Sequence, residues 1–569
     1  MRILVLAKQV PDVNKIKFDP ATGRIVRENV PLNMNAYDRR ALEEAIRIKE
    51  NSGAEVEVAS MGPPQASIML NESLRMGADR AFLISDRKFG GSDTWATSYI
   101  LSKFIQTRNP DLVLAGRYSL DGETSQVPPE TATMLNMNFF SNVAKIEFKD
   151  NAVEIRQESE EGIRYIETRL PLLLSVSEKI NRARKVDENV PDMTHRIVTV
   201  DSRELNLDFD GSKQSLTVVD GTESVSNQRK SMMIDKEAAI KLVIDHIRNG
   251  KIQDTVPKVE VNQDFSKGNV LGIALGDPLI SMEIASRLNE IATKEKFKVI
   301  MAGNVDPASL SGMTASEYIY LNGDDIFSIA AEVNKIISEM MPEFILFPSN
   351  SAGRDVAGII AATKSLGLTA DCVDIRYENG KLIQFKPAFG GGIVARIYSR
   401  TKPEMATVRP GMFRMSMTDQ KFTVETKNIQ PSGRYRIDKI DKVESKFMPV
   451  QKSPVVIGIG RGVKGKDNIE KIVKFCEENG IAVGATRPVV DMRLMPSQTQ
   501  IGITGVSISP DLYIAIGIAG MDNHMAGLRY AKTILAINNN PEAPIYHMAD
   551  YVCNCDAVEF INSLSIHHQ

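Results

Sequence analysis

Two short stretches carry the residue types from which a nucleotide site is built. "DGETSQV" at 121–127 sets Asp121, Thr124, Ser125 and Gln126 around Gly122 and Val127, directly after an apolar run, "LVLAG". "GIGRGVKG" at 458–465 holds Arg461 among glycines. It is neither a dinucleotide fingerprint nor a P-loop, because Lys466 is followed by Asp467 where a hydroxyl is required. Polar loops at helix starts suit phosphate recognition, since a helix N-terminus offers unpaired N–H groups and a partial positive charge. For Thr124 or Ser125 the plainer alternative is helix capping alone. Cys553 and Cys555 lie one residue apart with no second pair at ligand spacing, so they read as incidental thiols.

The elements that must position these loops follow from periodicity. Short apolar strands ("RILVLAKQV", "EVEVASMG", "RAFLIS", "DLVLAG") alternate with helical patterns ("YDRRALEEAIRIKE", "WATSYILSKFIQT"), which means parallel sheets wrapped by helices. In such sheets ligands sit beyond the carboxyl ends of the strands, where both stretches fall, as do the loops after "ILFPS", "YIAIGIAG" and "ILAIN". The chain also repeats itself. "PDLVLAGRYSLDGETSQVPPETATML" and "PEFILFPSNSAGRDVAGIIAATKSLG" share one grammar of apolar strand, Gly-bearing polar loop and helical run, and each is followed by strand-like segments ending near a proline.

At 569 residues the chain is too long for one core. The reading is an α/β protein of three parallel-sheet domains: 1–208, then an arm at 209–265 with one helix, 266–447, and 448–569. A net charge of −3 gives no basic excess for nucleic acid, and no apolar run reaches the roughly 18 residues of a membrane span. The N-terminus reads as a first strand rather than a signal peptide, and four cysteines without a disulfide pattern suggest a cytoplasmic, reducing setting.

The last region, with "GRGVKGKDNIEKIVKFCEENGIAVGATRPVVD", "QIGITG", "GIAGMDNHMAGL" and "ILAINNN", resembles the flavin-binding domain of the electron transfer flavoprotein alpha subunit over some 120 residues. The first, with "ILVLAKQVPD", "NMNAYDRRALEEAIRIKE" and "MGADRAFLISD", is similar to the beta subunit. The resemblance implies a beta-then-alpha fusion: two similar nucleotide-binding folds, which accounts for the internal repeat, and a C-terminal flavin-binding α/β domain.

It also implies roles. Arg461 belongs at the phosphate or adenosine end of a FAD, Thr486 at flavin N5, and Arg487 beside the ring. His524 belongs near flavin O2, and Gln500, Thr504, Gly520, Asn538 and Asp556 complete the site. Ile503 replaces a family glutamine. Glu158 aligns with a glutamate that pairs with the flavin-side arginine, although Glu160 and Glu161 beside it leave a plain acidic face open as an alternative. A second nucleotide belongs in the beta-like region, on Ala7, Asn35, Asp121, Gly122, Thr124, Ser125, Gln126 and Val127. There "DGETSQVPPE" resembles the electron-bifurcating and nitrogen-fixation-linked group, which holds a second FAD, rather than the group that holds AMP; Pro128 departs from that group's glycine. The stretches "GRDVAG", "GLTADC", "KPAFGGGIVARI" and "PEMATVRPG" lean the same way.

The function implied is a redox carrier rather than an enzyme with its own substrate. It takes electrons from flavin dehydrogenases, such as acyl-CoA dehydrogenases, and passes them to a membrane-bound quinone oxidoreductase, without itself entering the membrane. NADH-driven bifurcation is the alternative, and a non-redox nucleotide-binding regulator is the alternative of another class.

Overall fold

In the computed structural model the described residues are 1–12, 17–18, 25–26, 30–150, 152–186, 189–224, 229–253, 256–389, 393–442, 448, 450, 453–502, 505–528 and 530–566. They divide into two compact units, one formed by Met1–Ser224 with Lys258–Val443, the other by Val225–Pro257 with Glu444–Gln569. The segment read as an arm is thus shared between the two. Its helix, Lys236–Gln253, sets Ala239, Ile240, Val243, Ile244 and Ile247 into the core of the second unit.

The first unit is built twice. One sheet runs Ile197–Val200, Arg80–Ile84, Glu55–Met61, Arg2–Leu6, Leu112–Gly116, Leu172–Val176, Asn138–Lys149. The other runs Thr423–Asn428, Glu317–Asn322, Lys298–Gly303, Asn269–Ala274, Phe344–Pro348, Glu404–Val408, Leu368–Cys372, in the same order. All of these pairings are parallel, and the central strands are buried along their whole length, which is why they read as unbroken apolar runs.

Beyond this shared order each half lends a strand to the other. Tyr435–Lys442, from the end of the second half, pairs antiparallel with Gly162–Thr168 of the first. Thr217–Ser224, from the end of the first, pairs antiparallel with Ile393–Ser399 of the second. The helices Val127–Met134 and Ser351–Lys364 also meet, at Gly358. A Cβ built there would lie 2.7 Å from Gln126 Oε1 and 2.8 Å from Pro129 Cγ, so this close approach needs a glycine.

The second unit holds one parallel sheet: Ala482–Ala485, Val455–Ile459, Leu512–Ile516, Thr533–Ile537, Tyr551–Cys553, with Met232–Met233 added at the edge. Numbered along the C-terminal part of the chain, the order is two-one-three-four-five. Its switch point lies between Val455–Ile459 and Leu512–Ile516, where ligands of open α/β sheets bind. No helix among the described residues is long and apolar enough to cross a membrane.

Candidate functional site

At the switch point of the second unit the loops after the first and third strands are in backbone contact. Gly460 donates its N–H to Ile516 at 2.8 Å and Gly462 to Gly517 at 3.0 Å. A Cβ on Gly460 would fall 2.1 Å from the Gly517 carbonyl, so the spacing of "GRG" follows from this contact. Arg461 is thereby held exposed, its guanidinium making no hydrogen bond or ion pair among the described residues. Four residues on, the helix Lys466–Asn479 starts after Gly465 with no side-chain cap. A free guanidinium and an uncapped helix N-terminus on one edge fit a pyrophosphate.

The other predicted residues gather around this edge. Thr486 follows the strand Ala482–Ala485, is 8% exposed, and gives no hydrogen bond from its hydroxyl to any described residue. Arg487 is exposed, with Asp491 at 3.4 Å. Gln500 sits on a bridge to Ala485, while Thr504 and Ile503 lie outside the described residues. Gly520 takes φ +88 where its loop crosses Ile545. Asn538 and Asp556 work within the protein. Asn538 Nδ2 donates to Ile518 O at 2.8 Å, and Asp556 Oδ1 caps the last helix through the N–H groups of Val558 and Glu559.

His524 is the least expected of the set. It is buried, its Nδ1–H donates to the Ile501 carbonyl at 3.0 Å, and its Nε2 accepts from the Tyr513 hydroxyl at 2.9 Å. A carbonyl can only accept, which fixes the proton on Nδ1. Burial lowers its pKa to about 4, against the help of the Ile501 bond. In this arrangement His524 is a neutral, satisfied core histidine, and serving a flavin as donor requires giving up one of its two bonds. Tyr513, its partner, had no signal in the sequence beyond an aromatic in an apolar strand.

The first unit carries the second group of predicted residues. The loop after Leu112–Gly116 is tied to the first helix: Asn35 Nδ2 donates to Tyr118 O at 2.9 Å, and Asp38 accepts the N–H groups of Lys8 (2.8 Å) and Gly116 (3.0 Å). Ala7, directly after the first strand, is buried. Left-handed backbone occurs at Glu123 (φ 49) and Ser125 (φ 59), and not at Gly122. The backbone N–H groups of Thr124, Ser125 and Val127 find no partner among the described residues, and the helix Val127–Met134 starts without a side-chain cap. Gln126 is fully buried with both amide atoms unpaired.

The acids of the loop are compensated. Burial alone raises Asp121, but Lys8, whose ammonium is 2.7 Å away, with Ser119 and the Gly122 N–H, holds its carboxyl below the usual range. The other half contributes as well. Phe389 N donates to Asp121 O at 3.0 Å, bringing "KPAFGGG" onto the loop, although its glycines lie outside the described residues. Behind it Asp371 accepts from Arg409 Nε at 3.1 Å, Arg354 at 3.2 Å and Ser349 Oγ at 2.9 Å. Lys386 is 6% exposed, and among the described residues its ammonium has one hydrogen-bond partner, the Pro387 carbonyl at 3.3 Å. Burial pulls it below the usual lysine range, against Asp371 and Glu123. Three cations of the second half therefore back a loop of the first. Lys8, Arg354, Asp371, Lys386 and Arg409 were not picked out individually from the sequence, where four of them lay inside stretches noted only for their likeness.

Glu158 pairs with Lys179, Glu161 with Arg164, and Glu160 accepts the N–H and hydroxyl of Ser351.

A model of the electron transfer flavoprotein domain matches residues 22–204 and again 279–443, and one of the electron transfer flavoprotein FAD-binding domain matches 449–529. The chain belongs to the electron transfer flavoprotein family. Its beta-like and alpha-like parts are fused, and its C-terminal unit is a FAD-binding domain. It is 50% identical over 186 residues to the caffeyl-CoA reductase-Etf complex subunit CarD of Acetobacterium woodii, covering 32% of this chain and 71% of that one. The Thermoanaerobacterium thermosaccharolyticum electron transfer flavoprotein subunits match in turn. The beta subunit is 40% identical over 251 residues (43% of this chain, 96% of that one), and the alpha subunit 33% over 314 (53% and 90%).

Proposed function

We propose that this electron transfer flavoprotein carries two FADs, one in each unit, and relays electrons from flavin dehydrogenases to a separate acceptor. A bound flavin supplies one- and two-electron redox chemistry; the protein's part is to bind, orient and set the charge around it. In the second unit, Arg461 and the helix start at Lys466 are assigned to the phosphates. Thr486, Arg487, Gln500 and Thr504 are assigned to the ring, Asp556 to the adenine end, and Gly520 and Asn538 to the loops at this edge. In the first unit, the free N–H groups of Thr124, Ser125 and Val127 are assigned to a second pyrophosphate, with the charge of Asp121 offset by Lys8.

The observation that carries the second FAD is the composition of that site. A mononucleotide would be served by the loop alone, whereas here Lys386, Arg409 and Phe389 of the other half extend the site. The same observation, with the likeness to a subunit of a reductase complex, favours a second reading: NADH-driven division of an electron pair between two acceptors. As a simple carrier, the chain would instead serve a membrane-bound quinone oxidoreductase from the cytoplasm. Extraction and counting of nucleotides per chain tests the proposal. Two FADs are expected, and one FAD with one AMP would overturn it. Bleaching of the yellow protein by NADH without any dehydrogenase then separates the two readings.

A further inference from the structure

Cys553 and Cys555 read from the sequence as incidental thiols, and the fold of the second unit brings them together. Cys553 closes the strand Tyr551–Cys553 in register with Ile537, and its carbonyl accepts two N–H groups, from Asn538 at 3.3 Å and from Cys555 at 3.1 Å. The bond from Cys555 spans only two residues, which makes a γ-turn with the exposed Asn554 at its tip. In an extended strand residues i and i+2 share a face but stand roughly 6.8 Å apart, the upper limit of what a disulfide spans. The turn draws them closer.

The thiols themselves interact. The Cys555 S–H lies between two acceptors, the Cys553 sulfur and the Asp556 carbonyl at 3.6 Å. Its contact with Cys553 draws that thiol below its ordinary value, against burial, and the same contact pushes Cys555 up. The ammonium of Lys236, which donates to Glu559 at 2.6 Å, acts on both sulfurs and favours a thiolate on Cys553, where Asp235 and Glu559 oppose it. Cys553 is 1% exposed and Cys555 half-buried, so one member of the pair faces solvent. Metal binding is the other use of paired thiols. A structural zinc needs four ligands, and among the described residues no third His, Cys, Asp or Glu joins these two at ligand distance.

We infer that Cys553 and Cys555 are a redox modification site, a dithiol that hydrogen peroxide closes to an intramolecular disulfide and that small thiols reopen. The Cys553 thiolate attacks one peroxide oxygen and displaces hydroxide, which leaves a sulfenic acid; the Cys555 sulfur then attacks the sulfenic sulfur, and its hydroxyl departs as water. Two thiols lose two electrons and two protons, and one peroxide becomes two waters. This couple is separate from any flavin and does not depend on which nucleotides the chain holds. Cys372 and Cys476, both buried and both pushed up by burial, are the internal references.

Peroxide treatment of the full, flavin-loaded chain, followed by alkylation under denaturing conditions and peptide mass spectrometry, tests the inference. The peptide carrying both cysteines is expected unalkylated and two hydrogens lighter, dithiothreitol should restore both alkylation sites, and Cys372 and Cys476 should need about tenfold more peroxide to react. Neither Cys553→Ser nor Cys555→Ser should form an intramolecular disulfide, and the remaining thiol should pass on to sulfinic acid. The inference is overturned if both thiols of the parent stay open to alkylation, if the parent reaches sulfinic acid without a disulfide, if the disulfide joins two chains, or if Cys372 and Cys476 react as readily.

Discussion

Arg487 and His524 were read from the sequence as a pair of flavin-side donors, and the structure gives them opposite characters. Arg487 stands in solvent with a distant carboxylate, and a guanidinium keeps its charge throughout the physiological range. Removing it as Arg487→Ala is expected to lower the flavin's first one-electron potential by about 40 mV, corresponding to about 1 kcal/mol of lost charge stabilisation. Potentiometric titration reads this directly, and an unchanged potential would remove Arg487 from the ring. His524 is held neutral. Its folded pKa of about 4 lies below the ordinary 6.5, so its contribution to stability is complete above about 6.5 and is lost as pH falls toward 4. The loss is roughly 3 kcal/mol in full. Chemical denaturation at pH 8 and pH 5 should show this decline in the parent and a flatter profile in His524→Asn.

The contact between the loops after Val455–Ile459 and Leu512–Ile516 makes the FAD site an assembly of elements rather than a set of side chains. Gly460→Ala must push against the Gly517 carbonyl, which backbone cannot yield cheaply, so a cost of about 1–3 kcal/mol is expected. It should appear as protein purified with less than half its parental FAD in that unit, measured by absorbance after denaturation. Glycines after apolar strands marked these loops in advance, although "GIGRGVKG" matches no full fingerprint and its contact with Gly517 was not legible. The gathering of Lys386, Arg354 and Arg409 behind the Asp121 loop was not legible either. Asp371 and Arg409 are far apart in sequence and Lys386 lies on a different sheet, so no local period or spacing joins them. For the same reason Tyr513 could not be matched to His524, nor Glu160 to Ser351.

At the scale of the molecule, sequence alternation gave the α/β class and the repeat exposed the two similar halves. The exchanged strands had no signature, because Thr217–Ser224 and Tyr435–Lys442 read as polar segments whose partners are set by tertiary packing alone. Their exchange predicts that the first unit melts as one body. Calorimetry should show a single transition for both halves, separate from any FAD-dependent transition of the second unit. Residues 1–208 expressed alone should unfold at lower temperature and aggregate, since Gly162–Thr168 then presents an unpaired edge. Two independent transitions for the halves would contradict this.

The exchange has a further consequence for a chain in which both halves are joined. Two separate polypeptides that complete each other's sheets must meet in solution, and their union weakens on dilution and fails when one is made in excess. Within one chain the meeting is intramolecular, with an effective concentration set by the tether rather than by how much protein the cell contains. Every chain synthesised therefore brings its partner in equal measure, and the site drawn from both halves is complete at any dilution.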